Sequence, residues 1–437
     1  MIKKIIAFTY NNIRYRKRIA LFNNLKKRNA VDDKRNLNYQ IDKLSCVLEV
    51  AFENIDYYKK FKFSTKDFSY SDFMGIPILT KEIIRNQTSD LVSPAFFKLR
   101  DVLKNTSGGS TGEPVTFFQT KEQKLHGIVN YLLALNQNGV HIYDESVDLW
   151  GAERDMYKTT TRFNLRSFLH NKTTLNTFVL SDEIIQDYIN RLNEIKPKFI
   201  KAYVHSVYEI SKFINKHNIK INFIPAIHCT TGPLYPEMKK EIKKAFNNAH
   251  VYNFYGSREV SAIASEIKDK KGMFVLYDNV FIEVLDENNK PVKKGEEGEI
   301  VVTTLNNFYM PLLRYKIGDR AIKGDELEFG SLKLDSVTGR TLGVIHKKDG
   351  TKIDGQFFTT LFFNKKGIKN FQLIQQTISN LQLNIVKSDN FNQLELDAVI
   401  QRIKSELGDI NLNINFLDKI NLTSTGKIMY AYSELES

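Results

Sequence analysis

Little sulfur and little histidine run through this chain. Among its 437 residues stand two cysteines, Cys46 and Cys229, and they form no CxxC pair. That excludes a disulfide framework and a structural zinc site, and it fits a reducing cytoplasm. Eight histidines, with no HExxH arrangement and no His-rich tract, offer a catalytic transition metal no ligand set. No apolar run approaches the roughly 20 residues a bilayer-spanning helix needs, so the chain reads as soluble or at most peripheral. Internal repeats and low-complexity tracts are absent as well. What is present, 42% apolar and 12% aromatic residues, is ample for buried cores. The length implies two or three domains.

The net charge of +13 is gathered at one end, where residues 1–36 carry eleven Lys or Arg against Asp32 and Asp33. Apolar residues interleave with them (Ile5, Ile6, Phe8, Ile13, Leu21, Phe22, Leu25), as in a basic amphipathic segment. Two readings stand side by side: contact with an anionic membrane surface, or a solvated helix packed on the main domain. A signal peptide fits poorly, because the apolar stretch Ile5–Tyr10 is short and no small-residue cleavage site follows. The rest of the chain is nearly balanced in charge and holds no nucleic-acid reading module, so no nucleic acid partner is expected.

Apolar periodicity predicts helices over 41–59, 121–135, 182–195 and 206–217, and another starting at Pro236, where a missing N–H costs least. Short β-rich runs alternate with them at Phe199–Tyr203, Phe223–Cys229 and His250–Phe254, which argues for parallel βαβ units. After about residue 272 the pattern turns to strands: Met273–Leu276, Val280–Leu285, Gly298–Thr304 and Leu312–Tyr315, with a hairpin turn at 286–290. The last hundred residues mix strands with an amphipathic helix near 394–406, as in a small separate α+β domain.

One loop stands out chemically. Thr106, Ser107, Gly108, Gly109, Ser110, Thr111 and Gly112 run uninterrupted between the apolar runs Val102-Leu103 and Val115-Thr116-Phe117-Phe118. Glycines let backbone N–H groups turn inward and hydroxyls add donors, so such a loop can wrap a polyphosphate. It lacks the Gly-Lys-Ser/Thr ending of a Walker loop, and the β-like run beyond Pro114 predicts strand–loop–strand. A flexible linker has the same composition. Further on, Thr230-Thr231-Gly232-Pro233 and Tyr255-Gly256-Ser257-Arg258-Glu259 each follow a predicted strand, where an open α/β sheet places its ligand. Then come Arg314-Tyr315-Lys316-Ile317-Gly318-Asp319, Gly339-Arg340 and Thr423-Ser424-Thr425-Gly426-Lys427.

In order and spacing these segments resemble the adenylate-forming (acyl-CoA synthetase) superfamily. TSGGSTGEP is similar to its phosphate loop TSGSTG-K/E-P, YGSRE to YGxTE, RYKIGD to Y/R-x-TGD, and TSTGKI to the C-terminal SGK. The stretches VLEVAFENIDYYKK at 47–60 and IPILTKE at 76–82 resemble the phenylacetate–CoA ligase branch and its capsular-polysaccharide relatives. The resemblance spans roughly residues 40–437 and implies an α/β fold. In that fold a large N-terminal adenylation domain, a parallel βαβ sheet with a β-rich subdomain, covers 37–338. A small mobile α+β C-terminal lid covers 339–437, and the basic segment 1–36 precedes both.

The resemblance also implies ATP and magnesium, a small carboxylic acid as substrate, and an acceptor that is either the thiol of CoA or an amine or hydroxyl of a sugar. Residues 106–112 would hold phosphates. Thr231, Gly232, Pro233, Tyr255 and Gly256 would line the adenine, and Ser257 and Arg258 would also belong to the nucleotide site, Arg258 at the position of a hydroxyl that touches phosphate. Asp319 would take the ribose hydroxyls with Arg340 near it, Glu259 would hold Mg2+, and Lys427 would stabilise charge at the α-phosphate. Trp150 and Tyr203 read equally as pocket walls and as core aromatics. Three departures qualify the pattern. Arg258 replaces a hydroxyl residue, Thr341-Leu342-Gly343 replaces a polar hinge, and the zinc-binding Cys/His cluster of some relatives is missing. An acid-activating enzyme of surface polysaccharide synthesis is the expected function. A catabolic aromatic-acid CoA ligase and a non-catalytic nucleotide-binding relative are the alternatives.

Overall fold

The computed structural model describes the chain except residues 1–13, 29–32, 94–100, 107–114, 151–167, 178–181, 233, 341–343, 350–351, 363–364, 366, 389, 421–429 and 436–437. Two compact units divide it, one built chiefly from residues up to Thr338 and the other from Gly339 onward.

The first unit is organised on an 11-stranded sheet. Five parallel strands form one half, in spatial order Lys172–Asn176, Ser146–Trp150, Phe199–Tyr203, Ala226–Thr230 and His250–Ser257. At His250–Ser257 the direction changes. Ser261–Glu266 pairs with it antiparallel, and the sheet continues through Met273–Val275, Lys333–Arg340, Tyr315–Lys323 and Glu297–Thr304 to Val280–Leu285 at the edge. This is the expected α/β domain with its β-rich part.

Side-chain alternation assigns the faces. Val147, Leu149, Ile200, Ala202, Ile227, Cys229 and Val251 point to one side of the parallel half and pack with Ile189, Leu192, Ile210 and Ile242. Those partners come from helices Asp182–Ile195, Val204–Lys216 and Pro236–Ala245, the last opened by a proline as predicted. Helix Lys121–Gln137 belongs to the other side, where Leu135 and the half-buried Tyr131 join Phe199, Ala226 and Tyr252 in a small core. The helix begins where the Thr120 hydroxyl accepts the Gln123 N–H, a side-chain cap. Under the antiparallel half, Leu44, Leu48, Phe73, Phe281 and Tyr315 belong to the largest core.

Three boundaries differ from the periodicity. The first helix runs Asp33–Asn54 and stops at Ile55, whose extended backbone separates it from the short turn Asp56–Lys59. The strand expected at Leu312–Tyr315 instead starts at Tyr315, because Arg314 is left-handed at φ 48°. The strand expected at Phe223–Cys229 is Ala226–Thr230. Of the basic N-terminal segment, helix Arg16–Lys26 buries Phe22 and Leu25 against Val129. No helix among the described residues is long and apolar enough to cross a membrane.

The second unit is α+β. Its four-stranded sheet, in order Asn411–Phe416, Asn380–Lys387, Ile368–Gln375 and Ala431–Ser433, packs Leu373, Leu383 and Ile385 with Leu396 and Ile403 of helix Gln393–Leu407.

Candidate active site

The Gly/Ser/Thr loop grows from a hairpin. Val102–Thr106 and Thr116–Thr120 pair antiparallel, with Thr106 opposite Thr116, so the segment between them leaves and re-enters one ladder. Ser107, Gly108, Gly109, Ser110, Thr111 and Gly112 lie outside the described residues. The stem is held by a side chain that no motif marks. Gln119 donates through Nε2 to the carbonyls of Arg258 and Glu259, 3.0 Å each, while its Oε1 accepts from Asn105 Nδ2 at 3.3 Å. Gln123 reaches the same Glu259 carbonyl at 3.3 Å. The stem of the Gly/Ser/Thr loop and the Tyr255–Glu259 segment, more than 130 residues apart in sequence, are thereby neighbours.

The Glu259 carboxylate is 6% exposed and makes no hydrogen bond or ion pair among the described residues. Its oxygens are not among the fully enclosed unpaired side-chain atoms, so water or a hard divalent ion with oxygen preference would have access to them. No cluster of three or more His, Cys, Asp or Glu surrounds it among the described residues, so most of the ion's shell would come from phosphate and water. Glu259 thus fits a single-carboxylate magnesium site.

Tyr255 donates its hydroxyl to Asp319 Oδ2 at 2.7 Å, joining the end of strand His250–Ser257 to strand Tyr315–Lys323. Asp319 is 8% exposed. Between Tyr255 and Ser257, Gly256 is obligatory: a Cβ there would stand 2.6 Å from the Ser261 carbonyl oxygen and 3.2 Å from the Phe254 ring. The Ser257 hydroxyl accepts the Val260 N–H at 3.3 Å, and the Arg258 side chain is half-buried. At the end of the adjacent strand Thr231 is left-handed at φ 67°, a strained setting for a β-branched residue. Thr231 and Gly232 are solvent-accessible, while Pro233 is outside the described residues. Arg340 ends strand Lys333–Arg340, with nothing described of its side chain, and Lys427 lies outside the described residues.

Arg314, which opens the RYKIGD segment, faces inward. Its Nε and Nη2 donate to the two oxygens of Glu283 at 3.0 Å, and its Nη1 to the carbonyls of Met74 and Ile76 at 2.7 and 2.9 Å. It holds the core together. The rings of Trp150 and Tyr203 meet at 4.3 Å at the carboxyl ends of neighbouring parallel strands.

This architecture has known counterparts. The solved structure of a 2-hydroxyisobutyryl-CoA ligase, in complex with 2-HIB-AMP and CoA in the thioesterification state, superposes with a TM-score of 0.60 over 92% of this chain and 91% of its own, at 16% identity. The fold is that of the adenylate-forming ligases. The same ligase in its postadenylation state, bound to R3-HIB-AMP, gives a TM-score of 0.58 over 93% and 90% at 15% identity. In sequence, the chain is 26% identical over 393 residues to Protein CapK of Staphylococcus aureus, covering 86% of this chain and 84% of that one. Residues 345–434 match the model of the CapK C-terminal domain. The adenylate-forming ligase fold and the CapK relative agree with the resemblance drawn from the motifs.

Proposed function

We propose that this protein activates a small carboxylic acid with ATP and passes the acyl group to an acceptor in the assembly of a surface polysaccharide. In the first step a carboxylate oxygen attacks the α-phosphorus, the bond to the bridging oxygen breaks, and pyrophosphate leaves an acyl-adenylate behind. The observation that carries this reading is that the Tyr255–Glu259 segment meets both Asp319, through the Tyr255 hydroxyl, and the stem of the Gly/Ser/Thr loop, through the Arg258 and Glu259 carbonyls.

In this reading Asp319 accepts the ribose hydroxyls while Tyr255 holds its carboxylate in place. The backbone around Thr231, Gly232 and Pro233, with Tyr255 and Gly256, lines the adenine, and Ser257, Arg258 and Arg340 complete the nucleotide's surroundings. Thr106 to Gly112 supply N–H and hydroxyl donors to the phosphates. Glu259 holds magnesium, which neutralises phosphate charge when bound. Lys427 lends its ammonium to charge that grows at the α-phosphate in the transition state.

The polysaccharide role is supported by the likeness to CapK, and by the N-terminal charge. Arg14, Arg16, Lys17, Lys26 and Lys27 are exposed on or beside helix Arg16–Lys26, whose Phe22 and Leu25 are already packed, so attraction to an anionic membrane would be electrostatic and lost at high salt. Pyrophosphate release screened over a panel of carboxylic acids tests the activation step. Acid-dependent release without thioester formation on adding CoA supports a sugar acceptor. Robust phenylacetyl-CoA synthesis overturns the polysaccharide role, and no release with any acid overturns the ligase reading.

A further inference from the structure

A sheet edge offers a row of backbone N–H and C=O groups to any strand that can pair with them, and proteins ordinarily cover, shorten or charge such edges. Three of the four edges of the two larger sheets follow that rule. Strand Val280–Leu285 is buried throughout, and its outer carbonyls are taken: Val280 by Gln40 Nε2 at 2.6 Å, Ile282 by the Ser331 N–H at 2.8 Å and Val284 by the Val292 N–H at 3.0 Å. Strand Lys172–Asn176 carries a charge, Lys172, paired with Asp148. Strand Ala431–Ser433 is three residues long. The fourth edge, Asn411–Phe416 in the second unit, has none of these protections among the described residues.

The Asn411 N–H donates to the Ser379 carbonyl at 2.7 Å and the Leu417 N–H to that of Ile385 at 2.9 Å, so the odd-numbered backbone groups face the neighbouring strand Asn380–Lys387. Those of Leu412, Ile414 and Phe416 face outward, and no hydrogen bond among the described residues reaches them. The Leu412 and Ile414 side chains pack on the core of the unit, whereas Phe416 remains 47% exposed even with the Lys387 Nζ over its ring at 3.8 Å. Among the described residues the exposed large apolar side chains are Ile378, Leu394, Phe416, Leu417 and Leu435 in the second unit, against Met74 and Phe223 in the first. Unmet apolar surface thus gathers in the unit that owns the open edge.

The pattern along this edge is complementary to itself. Ile410-Asn411-Leu412-Asn413-Ile414-Asn415-Phe416 alternates apolar residues with asparagine, holds no charge in a chain that is 26% charged, and keeps its pattern when read backwards. An antiparallel copy centred on Asn413 sets Leu412 opposite Ile414, Asn411 opposite Asn415, Ile410 opposite Phe416 and Asn413 opposite itself. That register also obeys the backbone: Leu412 and Ile414 both point outward and exchange their two hydrogen bonds, while the Asn413 pair is a non-hydrogen-bonded one. On the polar side Asn415 Nδ2 donates to Asn384 at 3.2 Å and Asn384 Nδ2 to Gln372 at 3.1 Å, a row of amides that Asn411 of a second copy extends. We infer that this edge is a homodimer interface, in which the Asn411–Phe416 strands of two copies pair antiparallel about a two-fold axis at Asn413 and join their four-stranded sheets into one. The two-fold closes the assembly, because each copy's open edge is then used. The inference is independent of the acid-activating reading.

Light scattering of the full chain over a concentration series tests the inference, and a dimer in equilibrium with monomer is expected. Asn413 is exposed in the single chain. Asn413→Lys sets two ammonium groups directly opposite each other and should raise the dimer's dissociation constant about fivefold or more, with the melting transition of the dilute protein unchanged. Thiol pairing reads the register. In a Cys46→Ser background, which removes the exposed native thiol, Asn413→Cys should oxidise to a disulfide-linked dimer. A non-hydrogen-bonded pair brings Cα atoms to about 4.5 Å, within disulfide reach. Asn411→Cys, whose own copy lies farther along the opposite strand, should not crosslink. If Asn413→Lys loses its melting transition, the thiol pair still decides. A monomer at every concentration overturns the inference and leaves the edge to a strand of another protein. A dimer that ignores Asn413→Lys, or that crosslinks through Asn411→Cys as readily as through Asn413→Cys, overturns it equally.

Discussion

In the antiparallel half of the large sheet, Glu283 lies under the Arg314 guanidinium and also accepts the Tyr70 hydroxyl at 2.9 Å. Close by, Asp278 takes Tyr39, Lys43, His126 and Asn130 within 2.8 Å, and Asp325 takes the N–H groups of Leu332 and Lys333 at 2.7 Å. The parallel half and its junction behave otherwise. Among the described residues, the two His228 ring nitrogens have no hydrogen-bond partner and the Glu259 carboxylate has no cation. Both halves bury polar groups, but the carboxylates of Glu283, Asp278 and Asp325 are each answered by several donors, whereas His228 and the Glu259 carboxylate have capacity unused among the described residues. Where burial comes without satisfaction, a ligand is the natural complement.

The comparison can be broken most directly at Arg314. Arg314→Leu strips a buried carboxylate of its partner and should cost about 3–5 kcal/mol in urea unfolding; a loss below 1 kcal/mol would mean that the antiparallel half does not depend on this pairing. Lys427→Ala should act in the opposite sense. Acid-dependent pyrophosphate release is expected to fall by about 100-fold or more, while the ATP–Mg melting shift survives, and a variant forming adenylate at the parent rate removes Lys427 from the mechanism.

Acid titration sharpens the contrast further. Burial pushes the Asp278 carboxyl up, yet the His126 hydrogen bond and the Lys43 ammonium outweigh it and hold it well below the carboxylate range. A depressed carboxyl stabilises the fold fully above the ordinary carboxylate pKa, and that contribution drains away as pH falls through that range toward the folded value. Asp278→Asn should therefore lose about 2 kcal/mol near neutrality and show a flatter acid limb than the parent. An unchanged acid limb would deny the hub its role. Smallest is Tyr255→Phe, which should weaken ATP–Mg stabilisation by about 1 kcal/mol through a less well held Asp319, with stability in the absence of nucleotide nearly unchanged.

Much of the nucleotide end could be read without coordinates, because its chemistry is local. A run of Gly, Ser and Thr between β-like pairs predicts strand–loop–strand, and the hairpin Val102–Thr106/Thr116–Thr120 is that arrangement. The α/β fold with its β-rich part and small α+β unit was equally visible, since periods of 3.6 and 2 alternate along the chain. The row of Asp148, Lys201, His228 and Tyr252, side by side across the parallel strands, was invisible. It depends on register among four strands, and nothing within any one strand announces which residues will stand side by side. Gln119 escaped notice for a related reason: a lone glutamine in a strand gives no hint that it will clamp carbonyls some 140 residues away. Strand Ser146–Trp150, SVDLW, was missed because its buried Asp148 interrupts the apolar run expected of an interior parallel strand.

Gly256 and Gly318 flank the Tyr255–Asp319 contact and would answer a randomised library in opposite ways. At Gly318 the backbone is left-handed at φ 92°, but a Cβ would meet nothing within 4 Å, so Asn or Asp should survive selection there at modest cost. At Gly256 the obstacle is a backbone oxygen 2.6 Å away, which no rotamer avoids and no side-chain movement clears. Selection for a folded protein should leave position 256 a single letter, and sequencing the survivors would read that steric wall as a complete absence of alternatives.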